Sequence, residues 1–394
     1  MLSVNEAIKI LLDSSKRLVE SEEIDLIEAS GRTLAGEIIA PIDVPPSDNS
    51  AMDGYAIRCG DWFDAQTPIP LSQRITAGSV PAELEPASAA RIFTGASVPP
   101  GADTVVMQEH CKEVDGAVRI LELPQRGANI RRRGQDLSTG QKVLPAGQRL
   151  RAQDLGLAAS LGIARVPVYR RLRVAVMSTG DELREPGDHI QPGQIYNSNR
   201  YMMKSQLAAW GFEVVDLGVA RDDPEVVSEM MLRAADQADV IITSGGVSVG
   251  EEDHVKAVVE TLGAIDLWRI EVKPGKPFAF GRVGDTPFIG LPGNPVSVFV
   301  TLLVIARPYL FACQGIADTA AHSVRHKALF DKKKSLREDY LRVRATDAGV
   351  ELYSNQSSGV LFSTTWGDGL VRQNVGEEIH QGALVDFLPY AVFN

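Results

Sequence analysis

Four short segments of this chain combine glycine, lysine and carboxylates in ways that could hold an anion beside a hard cation. They are Ser178-Thr179-Gly180-Asp181-Glu182-Leu183, Ser244-Gly245-Gly246-Val247-Ser248-Val249-Gly250-Glu251-Glu252-Asp253, Lys273-Pro274-Gly275-Lys276-Pro277 and Leu291-Pro292-Gly293-Asn294-Pro295. Glycine lets backbone N–H groups approach an anion, and helix N-termini add partial positive charge. Lys273 and Lys276 supply point charges for phosphate or another oxyanion. Glu182, Asp222, Asp223, Glu251 and Asp253 are hard oxygen ligands, suited to Mg²⁺ rather than to a soft metal. An anion holder beside a metal holder points to metal-assisted phosphate-ester chemistry. Each piece also has a plainer reading. Asp223 and Asp253 suit helix N-caps, Asp222 a solvated turn, and the Lys-Pro-Gly-Lys-Pro segment an exposed turn. Their convergence would be the stronger observation.

The elements around them predict that convergence. Between Arg171 and Gly315, apolar β-type runs alternate with helical periodicity: strands at 172–177, 212–217, 240–243, 278–282 and 287–289, helices near 198–210, from Asp223, from Asp253 and from Val296. This pattern predicts a mostly parallel α/β sheet with right-handed crossovers, whose strands end on one edge. Ligands bind outside that edge, where the four segments would lie. From about Ile24 to Val168 the chain is rich in Pro, Gly and short β-type runs, with one helix near Ala152 to Leu161 closed at Gly162. After Asp331-Lys332-Lys333-Lys334 short strands return, predicting a small β-barrel or sandwich.

Composition narrows the function. A net charge of −11 argues against non-specific nucleic-acid or anionic-membrane binding, so any bound anion needs a local device. Three scattered cysteines, Cys59, Cys111 and Cys313, form no CxxC and fit a reducing, cytoplasmic setting. The N-terminus reads as an amphipathic helix opened by Ser3-Val4-Asn5-Glu6, not as a signal peptide. No apolar run approaches membrane-spanning length, the longest being Val296 to Ile305. Gly246-Val247-Ser248-Val249-Gly250 matches a nucleophile elbow, but a helix capped at Asp253 starts too late for a serine hydrolase. No Walker A loop or G-x-G-x-x-G is present.

Three N-terminal segments stay unassigned on physical grounds: Asn49 to Ala56 with its carboxylate Asp53, Thr94-Gly95-Ala96, and the basic run Arg131-Arg132-Arg133-Gly134-Gln135-Asp136, a solvated face or a phosphate contact. Taken with the four rim segments, in this order, they resemble the molybdopterin molybdenumtransferases, the family that completes molybdenum cofactor synthesis and includes the C-terminal part of gephyrin. The resemblance implies an elongated homodimer of multidomain subunits. Residues 1–22 would form a helix packed on a central α/β domain (169–318). Residues 23–40 with 139–168 would form a mixed domain, 41–138 a β-rich domain and 319–394 a C-terminal β-barrel. It implies that adenylylated molybdopterin reacts with molybdate in a divalent-cation-dependent step, with release of AMP. Mg²⁺ is the expected cofactor.

By the same resemblance Asp53, Thr94, Asp136, Glu182, Asp222, Lys273 and Lys276 would be catalytic. Glu182 and Asp253 would serve the metal. Substrate would be bound by Ser178, Thr179, Gly180, Gly245, Gly246, Ser248, Pro292, Pro295, Arg342 and Ser358. Asp53, Thr94 and Asp136 would come from the partner subunit. Two departures from the family pattern stand out: Arg269 where a lysine can occur, and Glu252-Asp253-His254 in place of Ala-Asp-Tyr. The molybdopterin adenylyltransferase and molybdoenzyme delivery factors are the expected protein partners. Three other functions fit parts of the pattern: molybdopterin adenylylation, a tungstate-selective paralogue and a non-catalytic dimeric scaffold. The adenylylating enzyme is roughly the α/β domain alone, so the flanking β regions weigh against it.

Overall fold

The computed structural model describes residues 2–247 and 254–393. At its centre is a six-stranded sheet in the order Glu213–Ala220, Arg173–Thr179, Val240–Ser244, Thr286–Leu291, Ala279–Val283, Gly263–Trp268. The first four strands are mutually parallel. The last two add antiparallel neighbours, so the sheet is mixed where a mostly parallel one was expected. The two-residue connection Gly284-Asp285 explains the difference, since so short a link can join only antiparallel strands. Two reversals return Gly263–Trp268 to the direction of the parallel four. Its C-terminal end, and the Lys-Pro-Gly-Lys-Pro segment beyond it, therefore still face the common rim.

The inner strands are apolar along their length because both sheet faces are covered. One face packs on the helices Ser198–Ala209 and Val4–Ser14, through residues such as Met203, Leu207, Ala7 and Leu11. The other packs on Pro224–Gln237 and His254–Leu262, through Val227, Met231, Val255 and Val259. Ser3 and Glu6 close the capping box that opens the N-terminal helix. Asp223 caps its helix by accepting from Glu225 N and Val226 N, with Pro224 following. The cap expected at Asp253 lies outside the described residues.

The helical stretch Pro295–Gln314, with a π-helical turn at Leu302–Ala306, corrects one expectation. Its 20 residues contain an 18-residue window of mean hydropathy 2.0, long and apolar enough to cross a membrane by length and composition. Of that apolar window 89% is buried inside the protein, so its composition serves the core.

Residues 29–168 build two further cores. One gathers Leu34, Ile38, Leu144, Leu161 and Val166 beside the antiparallel pair Ser21–Asp25 and Arg165–Tyr169. The other lies on a six-stranded sheet between Gly54 and Ile120. The C-terminal strands Val324–Lys327, Glu338–Thr346, Gly349–Leu352, Gly369–Gln373 and Leu384–Pro389 form one β-sheet. A single bridge, Ala328 to Val350, links the two ends of its strand path. The central domain contributes to this sheet: Val272–Lys273 pairs in parallel with Glu338 and Asp339.

Candidate active site

The chain leaves strand Arg173–Thr179 first toward Glu213–Ala220 on one side and then toward Val240–Ser244 on the other. Such a reversal opens a crevice between the loops beyond the strand ends. Ser178 and Ser244, both buried, face each other at 3.3 Å on its floor. Gly246 has a positive φ of 65°, and a Cβ there would fall 2.3 Å from Val255 Cγ2 and 2.8 Å from Thr179 Oγ1. Only glycine lets this loop lie flat against both. Across the crevice is a cavity of about 610 Å³, bounded by Thr179, Glu182, Gly245, Pro277, Pro292 and Pro295. An adjoining hollow of about 230 Å³ shares five of these and adds Gly180, Asp222 and Gly246.

Polar groups on the cavity wall lack partners. Thr179 Oγ1, Asn197 Nδ2 and Asn199 Oδ1 are buried without a hydrogen bond, and Asn197 is 1% exposed. The other end of each amide is committed. Asn197 Oδ1 accepts from Arg200 N at 3.2 Å, capping helix Ser198–Ala209. Asn199 Nδ2 donates to Gly293 O at 2.7 Å. These bonds fix which amide atom faces its neighbours. A buried donor or acceptor without a partner costs about 1–3 kcal/mol, and three around one cavity of substrate size suit a polar ligand. The helix start is itself anchored: Arg200 makes two 2.8 Å bonds to Asp216, which Lys204 also contacts. Burial would raise the Asp216 carboxyl, but Arg200 and Lys204 prevail and hold it at about 2.

The rim carboxylates sit together. Asp181 and Asp222 exchange backbone N–H bonds to each other's carboxylates, both at 3.3 Å. Glu182 folds back on Gly180, where a Cβ would lie 2.5 Å from its Oε2. Partial burial first, then the charges of Asp181 and Glu182, push the Asp222 carboxyl above its ordinary range. A divalent cation would relieve that penalty, and the hard oxygens present fit Mg²⁺. Among the described residues no three His, Cys, Asp or Glu side chains form a metal cage. Asp253, Ser248 and Glu251 lie outside the described residues.

The remaining rim candidates are placed unequally. Lys276 is exposed beside Pro277, on the cavity edge. Lys273 is turned toward the C-terminal sheet, with Nζ 2.8 Å from Asp339 Oδ2. Ser358 ties that sheet to the rim: its Oγ accepts from Asn294 Nδ2 at 3.0 Å and its carbonyl from Val296 N at 3.0 Å. Gly359 and Leu361 beside it close one side of the cavity. Arg342 is fully buried and donates to Ser363 Oγ, Tyr340 O and Ser357 O. It braces the segment that carries Ser358 and does not line the cavity.

Asp53 and Thr94 meet each other but not this cavity. Asp53 Oδ1 accepts from Thr94 N at 2.7 Å and Thr94 Oγ1 at 2.8 Å, which holds its carboxyl below the usual range. Asp136 is exposed, on a turn whose amide donates to Val44 O. The basic run is occupied: Arg132 pairs with Asp48 at 2.6 Å and Arg133 with Asp43 at 2.5 Å. Two of its three arginines therefore position the turn leading to Asp136.

Profiles of three protein families match the chain in the order of these regions. The MoeA N-terminal region (domain I and II) matches residues 2–162, a probable molybdopterin binding domain 175–312, and the MoeA C-terminal region (domain IV) 327–390. A molybdopterin molybdenumtransferase of Haemophilus influenzae is 45% identical over 316 residues, 80% of this chain and 78% of that one. The chain belongs to the molybdopterin molybdenumtransferase family. Molybdopterin molybdenumtransferase 2 of Mycobacterium tuberculosis is 40% identical over 81% of each chain. Among solved structures, the molybdopterin biosynthesis moeA protein of Pyrococcus horikoshii superposes with a TM-score of 0.88, at 28% identity, over 99% of this chain and 100% of that one. A molybdenum cofactor biosynthesis protein of Pyrococcus furiosus shares the fold at 18% identity and a TM-score of 0.63, over 98% of each chain.

The fold thus brings Thr179, Gly180, Glu182, Asp222, Gly245, Gly246, Pro292 and Pro295 together on one rim. Asn197, Asn199 and Gly359 were not singled out from the sequence. An Asn at the start of a helix is an N-cap signal and could have marked the first of them.

Proposed function

We propose that this chain inserts molybdate into adenylylated molybdopterin with release of AMP, forming the molybdenum cofactor. The observation that carries the reading is the rim cavity, walled by glycine loops and by three buried polar groups that lack partners. In this reading Gly245, Gly246 and Ser248 cradle phosphate through backbone N–H groups and a hydroxyl. Thr179, Asn197 and Asn199 orient the pterin nucleotide, while Pro292 and Pro295 shape the wall. Lys273 and Lys276 neutralise molybdate or the departing phosphate, and Ser358, braced by Arg342, closes the rim. Glu182 with Asp222 or Asp253 would hold Mg²⁺, whose contribution when bound is charge neutralisation on the phosphates.

Asp53, Thr94 and Asp136 would complete the site from the partner of a homodimer, since none of them lines the cavity of its own chain. The three free cysteines support a cytoplasmic setting. The four-part domain division is supported by the separate cores, and closure of the C-terminal sheet into a barrel by its single bridge. The adenylylating enzyme and delivery factors would be the protein partners.

Supplying molybdopterin, ATP and Mg²⁺ tests the nearest rival. The chain should leave these unreacted, whereas accumulation of adenylylated pterin would assign it to the preceding step.

A further inference from the structure

Lys273, on the rim loop, is held by the C-terminal sheet. Its Nζ donates to Asp339 Oδ2 at 2.8 Å, with Lys273 41% exposed and Asp339 1% exposed. The backbone fixes the same contact, because Val272 pairs with Glu338 and Lys273 with Asp339, and Arg337 donates to Val272 O at 3.2 Å. The second carboxylate oxygen, Asp339 Oδ1, is buried and has no partner. Directly across the strands stands Gln373, whose amide nitrogen is used by Lys333 O and Glu377 O and whose Oε1 is also unpartnered. A buried carboxylate with so few donors depends on nearby cations for its charge balance. Lys332 stands in the same field. Burial, with Lys273 and Arg342 repelling it, holds its ammonium below the usual lysine range, while Asp339 pulls the other way.

We propose that Asp339 is a positioning residue for the transfer step: by holding the Lys273 ammonium at the junction of the rim loop and the C-terminal sheet, it sets where that charge stands relative to an oxyanion on the rim. This rests on the oxyanion role of Lys273 proposed above. A lysine has four rotatable side-chain bonds and is a point charge with no preferred direction, so a carboxylate bound to its Nζ decides where its charge stands. Asp339 itself is too buried to meet substrate, and it acts through Lys273.

A double-mutant cycle on molybdate-dependent AMP release tests this, with molybdate KM and kcat measured separately. Asp339→Ala is expected to raise the molybdate KM about tenfold while changing kcat less than about threefold. Asp339→Asn, which keeps an acceptor for Nζ, should recover most of the loss. In a Lys273→Ala background neither change should alter KM further. Effects that multiply in the double variant, or an unchanged KM beside a lowered melting temperature, would overturn the proposal. If Asp339→Ala does not fold, Asp339→Asn in the two backgrounds decides the same question. Wild-type protein that releases AMP while Lys273→Ala keeps a normal KM would remove this inference and the oxyanion role of Lys273, and leave molybdate insertion standing. Wild-type protein that releases none would remove the parent reading as well.

Discussion

The rim of the α/β domain and the Asp53–Thr94 corner of the N-terminal region are built for opposite situations. On the rim, loops separated by over a hundred residues close on one cavity, and polar atoms of Thr179, Asn197 and Asn199 stay unsatisfied. At the N-terminal corner the carboxylate is already satisfied by Thr94 and lines neither rim cavity. In the homodimer proposed above, the rim with its unsatisfied polar groups and the half-exposed carboxylate would be two surfaces that meet. The rim would bind, and the corner would be brought to it.

The largest expected effect breaks the two regions separately and then together. Glu182→Gln and Asp53→Asn should each lower kcat by about 10²-fold or more, the scale of removing a charged group from a transition state. If the regions meet across a dimer, mixing the two inactive variants under conditions of subunit exchange should restore roughly a quarter of wild-type activity, because half the random dimers contain one intact site. No recovery on verified exchange would place both residues in one chain's site.

A smaller effect should separate binding from chemistry on the rim. Asn197→Asp keeps the Oδ1 that caps helix Ser198–Ala209 and replaces the unpartnered donor. The KM for adenylylated molybdopterin should rise about tenfold, the cost of about one lost hydrogen bond, with kcat little changed. A fall in kcat at constant KM would argue that Asn197 belongs to the reacting centre instead.

The smallest effect concerns the anchor under that helix. Asp216, at about 2 in the folded chain against an ordinary 3.8, binds fewer protons folded than unfolded between those values. Its stabilisation is therefore full above about pH 4 and is lost as pH falls toward 2. Asp216→Asn should cost about 1–2 kcal/mol at neutral pH, reduced from the full shift because the side chain is partly exposed. The wild-type and variant melting temperatures should converge as pH approaches 2, and an equal gap at pH 7 and pH 2 would exclude the charged network as its source.

The two regions also differ in how far the sequence made them legible. The rim could be located because glycines, lysines and carboxylates followed runs whose periodicity marks parallel strands, and strand direction is a local property. The two-residue Gly284-Asp285 link is an equally local sign, of an antiparallel pair. The Arg131-Arg132-Arg133 run could not be read locally, since Asp43 and Asp48 stand more than eighty residues upstream. Asp339 was invisible for the same reason: its role depends on a strand register between Val272 and Glu338. Neither spacing nor composition encodes that register.

AMP release from adenylylated molybdopterin by the purified chain, with Mg²⁺ and with molybdate or tungstate added in turn, tests the central claim most directly. Release that requires one of these oxyanions, with the metal recovered on the pterin, is the expected result. No AMP with either anion would contradict it.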